Sequence, residues 1–60
     1  MYTIHAGYND FSGLFLKTEL ADSITSVLSA AAIYLEDPSC FMVKVWKTDD
    51  GKVIVDYWRE

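Results

Sequence analysis

Hydrophobic and polar residues alternate at both ends of this 60-residue chain and recur at helical spacing in the middle. Near the N-terminus, Tyr2, Ile4, Ala6 and Tyr8 fall on one side and Thr3, His5 and Gly7 on the other. This period of two predicts a half-buried strand. Asn9-Asp10-Phe11-Ser12-Gly13 reads as a turn, because Asn and Asp bond back to the local backbone and Gly accepts positive φ. Leu14-Phe15-Leu16 fits either a short second strand or an apolar lead-in to a helix. Thr18 suits a helix N-cap, with Glu19 and Asp22 in the first turn, where negative charge complements the dipole. Leu20, Ile24, Val27, Leu28, Ala31 and Leu35 then recur at steps of three and four, which predicts an amphipathic helix over residues 19–36. Asp37-Pro38 ends it, since proline disfavours helical geometry in the residue before it. Glu36 and Asp37 oppose the dipole at that end, which marks them as candidates for surface contact.

The C-terminal third, FMVKVWKTDDGKVIVDYW, predicts a β-hairpin. A two-residue turn mixes charge with core residues on both faces. A three-residue loop, Asp49-Asp50-Gly51, with Gly51 as the left-handed residue of a G1 bulge, separates them. One face then holds Phe41, Val43, Val45, Val53, Val55 and Tyr57. The other holds Met42, Lys44, Trp46, Lys52, Ile54, Asp56 and Trp58. This register sets Lys44 opposite Asp56, Trp46 opposite Ile54 and Met42 opposite Trp58. The fold expected is α+β: a single domain, 1–60, with one amphipathic helix on one face of a three- to four-stranded, mostly antiparallel sheet, in the order β-(β)-α-β-β. The helix can cover only one side, which leaves the Trp46/Trp58 side open.

Composition agrees with a folded domain, at 52% hydrophobic and 15% aromatic with three Gly and one Pro. A lone cysteine, Cys40, allows no internal disulfide, and no signal peptide or membrane span is apparent. A cytoplasmic, reducing location is therefore expected. The net charge of −4 is uneven: residues 1–40 carry five acids and one base, residues 41–60 four of each. An acidic chain disfavours phosphate backbones and suits a protein partner with a basic surface.

Candidate chemistry is sparse. Cys40 and His5 make the one pair resembling a nucleophile and base, but Cys40 lies beside the acidic helix end, where a thiolate is disfavoured. One His and one Cys do not make a metal site, and Gly7, Gly13 and Gly51 form no phosphate-binding loop. No enzyme activity, cofactor or metal is expected. Lys44, Trp46, Lys52 and Trp58 interleave as in single-strand nucleic-acid binders, but Asp56 and Glu60 share their face and weaken that reading. Trp and Met are enriched at protein interfaces. The contact residues expected are Met42, Lys44, Trp46, Ile54, Asp56 and Trp58, with an acidic helix surface of Glu19, Asp22, Glu36 and Asp37. In character, matched on no motif, the chain resembles the short acidic proteins that bacteriophages encode to bind and inhibit host or defence proteins. That resemblance implies a non-enzymatic inhibitor or modulator and assigns no residue. The alternative is a homodimer or other homo-oligomeric assembly subunit, because 60 residues supply little core.

Overall fold

In a computed structural model, which describes residues 1–10 and 12–59, the alternating N-terminus forms strand β1 (Tyr2–Asp10). Phe11, in the expected turn, and Glu60, expected on the outer hairpin face, lie outside the described residues. Leu14-Phe15-Leu16 opens a full strand, β2 (Gly13–Ala21), which pairs with β1 without a break from Asp10↔Gly13 to Tyr2↔Ala21. Thr18, Glu19 and Leu20 therefore belong to a strand, which corrects the helix start read from the sequence. Leu14, Leu16, Thr18 and Leu20 stand at a period of two, and the long partner strand rewards that period.

The helix is α1 (Ile24–Glu36). Its N-cap is Ser23, whose hydroxyl accepts the Ser26 N–H at 3.1 Å. The C-terminal boundary is where Asp37-Pro38 predicts it, and Asp37 has a folding role there. Its N–H donates to the Tyr34 carbonyl, and its carboxylate accepts the Ser39 N–H at 2.9 Å. The last turn holds no basic residue, but the Arg59 guanidinium reaches back to donate to the carbonyls of Leu35 and Pro38, both at 3.3 Å.

Strands β3 (Cys40–Lys47) and β4 (Val53–Trp58) complete a four-stranded sheet in the order β2-β1-β3-β4, antiparallel throughout. The α+β fold and its element order are as the sequence predicts. The helix lies over β1, β2 and β3 on one side only. Ile4, Ala6 and Tyr8 of β1, Val27, Ala31 and Tyr34 of α1, and Cys40, Val43 and Val45 of β3 form the core. The buried helix stripe is rotated from the expected one: Tyr34 is inside, whereas Ile24 and Leu28 are exposed. Tyr34 meets Tyr8 edge-on at 6.3 Å, and the Lys17 ammonium lies 5.2 Å from its ring centre.

Two bulges correct the hairpin faces. Between Gly7 and Tyr8 the β1–β3 register shifts, so that Tyr8 pairs with Cys40 and Phe41 is the extra residue. Cys40 takes the core position expected of Phe41, whose ring lies across Gly7 instead. A β-carbon on Gly7 would stand 2.9 Å from both the Phe41 ring and the Met42 side chain, so the close approach requires glycine. The second shift falls between Val45 and Trp46. Lys44↔Asp56 and Met42↔Trp58 hold as expected, but Trp46 pairs with Val53, and Ile54 is the bulged residue packed against the core. The turn is the cause. Thr48 is tied to the N-terminal strand, by its N–H to the Met1 carbonyl and by its hydroxyl to that of Thr3. Lys47 then bonds Lys52 across a four-residue loop, with Gly51 at φ +73°. The additional loop residue is absorbed at Ile54.

Candidate functional site

The sheet face opposite the helix is built in rows, one residue per strand. Reading from β2 to β4 by register, the central row is Thr18, His5, Lys44 and Asp56. On one side lies Leu20, Thr3, Trp46 and Val53; on the other, Leu16, Gly7, Met42 and Trp58. A polar stripe thus runs between two largely apolar ones. Leu14 extends the apolar border at 68% exposure, with Leu16 at 59%, Leu20 at 65% and Trp58 at 66%.

Local contacts fix the larger side chains. Trp58 meets Phe41 edge-on at 5.4 Å and 83°. The Trp46 ring lies 6.3 Å from that of His5, tilted by 50°. His5 is held from its other side by a 2.9 Å hydrogen bond between Nδ1 and the Thr18 hydroxyl. His5, Met42, Lys44, Trp46, Gly51 and Val53 line an open groove of about 510 Å3. Lys44 and Asp56 stand opposite in register and bring no net charge to the face. The ion pair closed among the described residues, Lys17–Glu19 at 3.2 Å, lies on the helix side.

The expected contact residues divide. Met42, Lys44, Trp46, Asp56 and Trp58 share the open face. Ile54 is turned toward the core, and Val53 takes its place. Phe41, Leu14, Leu16 and Leu20 join the face unforeseen. For the leucines, the missed signal is their period of two: helical spacing claims Leu20, and Leu14-Phe15-Leu16 fits either a strand or a lead-in. The acidic helix surface is not one surface. Glu19 lies in β2, where the Tyr34 hydroxyl and then Lys17 hold its carboxylate below the ordinary range. Burial, with Glu19 next, raises the Tyr34 hydroxyl. Asp22 precedes the helix, while Glu36 and Asp37 lie at its far end, about 18 Å away along its axis.

The structure does not bring Cys40 and His5 together. Cys40 is fully buried on the helix side, whereas His5 belongs to the open face. Among the described residues, no group of three or more His, Cys, Asp or Glu could hold a metal ion. No helix of the described residues is long and apolar enough to cross a membrane. Comparison with protein-family models, with curated proteins and with solved structures finds no match to this chain.

Proposed function

We propose that this is a non-enzymatic binding protein that docks the open face of its sheet onto a larger protein and so inhibits or modulates it. The observation that carries this reading is an uncovered face opposite the helix, on which Leu14, Leu16, Leu20, Val53 and Trp58 stand exposed on either side of a polar stripe. Four strands about 4.8 Å apart and up to nine residues long span roughly 500–600 Å2. The whole face, polar stripe included, approaches the roughly 800 Å2 per partner of a standard interface. Trp58, Phe41, Met42 and Trp46 are the anchors, and the groove beside His5 accepts an apolar side chain of the partner. A buried free thiol at Cys40 is in keeping with a reducing, cytoplasmic setting.

Capture from a host lysate, comparing the wild-type chain with a Trp46→Ala/Trp58→Ala variant, tests the reading. A protein retained by the wild type and lost with the folded variant is the expected outcome. Equal retention by both would place binding elsewhere.

A further inference from the structure

The two edges of the sheet differ. Strand β4 is six residues long and is kinked by the bulge at Ile54, both features that discourage further pairing. Strand β2 is nine residues long, contains no proline, pairs in unbroken register with β1 and exposes Leu14, Phe15, Leu16 and Leu20. In an antiparallel edge strand, alternate residues turn N–H and C=O groups away from the sheet, ready for another strand. The centre of β2 reads Leu16-Lys17-Thr18-Glu19-Leu20, a sequence that is its own chemical complement when reversed about Thr18.

We propose that β2 pairs antiparallel with β2 of a second copy about a two-fold axis at Thr18, giving one continuous eight-stranded sheet. In this register Lys17 faces the partner's Glu19 and Glu19 faces the partner's Lys17, on the helix side. Leu16 and Leu20 face each other across the axis, and Thr18 faces itself, on the open side. Each is a favourable cross-strand pair. Moving the axis to Lys17 or to Glu19 sets like charges opposite one another, so charge selects Thr18. Both helices stay on one side of the joined sheet. The two open faces become contiguous, which leaves the docking surface proposed above free and doubles it; the dimer does not rest on that proposal.

Sedimentation equilibrium of the full chain at micromolar concentrations tests the pairing. The expected result is a species of twice 6.8 kDa. Lys17→Glu or Glu19→Lys alone is expected to weaken self-association about tenfold, by turning two attractive pairs into two repulsive ones. Mixing the two variants restores attraction on both sides, so a heterodimer forms. Both side chains also contact Tyr34, and circular dichroism establishes that each variant is folded. Should either unfold, Thr18→Cys in the otherwise intact chain decides, since its thiol would face its own copy and cross-link on mild oxidation. A monomeric wild type, a dimer indifferent to either charge reversal, folded variants that fail to associate when mixed, or a Thr18→Cys chain that does not cross-link would each overturn the proposal.

Discussion

Gly7 is where a single residue shapes the open face. Only hydrogen fits between its backbone and the Phe41 and Met42 side chains, so Phe41 can lie across β1 and meet Trp58. Gly7→Val is expected to push that ring away and to destabilise the fold by about 1–3 kcal/mol, as overpacking does. Chemical denaturation followed by tryptophan fluorescence reads both effects. Glu19 sets a pH dependence. Its carboxylate, held by Tyr34 and Lys17, has a lowered folded-state pKa. The stability it adds is therefore present above the ordinary glutamate value of 4.5 and is lost as pH falls through the lowered one. Glu19→Gln should be less stable than wild type at neutral pH, with the gap closing in acid. A gap that stays constant with pH would mean that the charge of Glu19 plays no part.

At the scale of elements, the helix start discriminates most sharply between pattern and structure. Ser23→Ala should cost about 1 kcal/mol through loss of the cap. Thr18→Ala, at the position the pattern favours for a cap, should not lower helix content. Val27→Ala should cost about 2 kcal/mol as a core truncation, whereas Leu28→Ala should fall within about 0.5 kcal/mol of wild type. Thermal melts by circular dichroism measure all four. The strands β1, β3 and β4 were legible because alternation and turn residues agree there. The β2–helix boundary was not, because Leu20, Ile24, Val27 and Leu28 satisfy helical spacing while Leu14, Leu16 and Leu20 satisfy strand spacing. Pairing with all of β1 decides between them, and that is a long-range fact. The bulges were hidden for a similar reason. Tethering of Thr48 to Met1 and Thr3 lengthens the hairpin loop, and no local pattern in residues 41–58 records it.

For the whole molecule, asymmetry about the sheet matters most. On one side a 13-residue helix packs over β1, β2 and β3; the other presents Leu16, Leu20, Phe41, Met42, Trp46, Val53 and Trp58 around a narrow polar stripe. That an open face exists could be read from one helix and four strands. Its membership could not, because Val53 and Ile54 exchange roles at the second bulge and Phe41 changes sides at the first. Among the described residues the carboxylates lie mainly on the helix side, at the helix ends and in the hairpin turn, and on the open face Lys44 stands opposite Asp56. In the proposed docking, apolar anchors there would supply affinity, and the net negative charge of the chain would steer the approach of a basic partner.

The most direct test is chemical denaturation of the Trp46→Ala/Trp58→Ala variant alongside its partner-capture assay. If both tryptophans serve an outward surface, the variant should stay folded, with its unfolding free energy within about 2 kcal/mol of wild type, the loss coming from the half-buried Trp46 beside His5 and from the Phe41–Trp58 contact. Binding should vanish. Losses of about 3–5 kcal/mol per tryptophan, the cost of emptying a core site, or undiminished binding by the folded variant, would contradict the account.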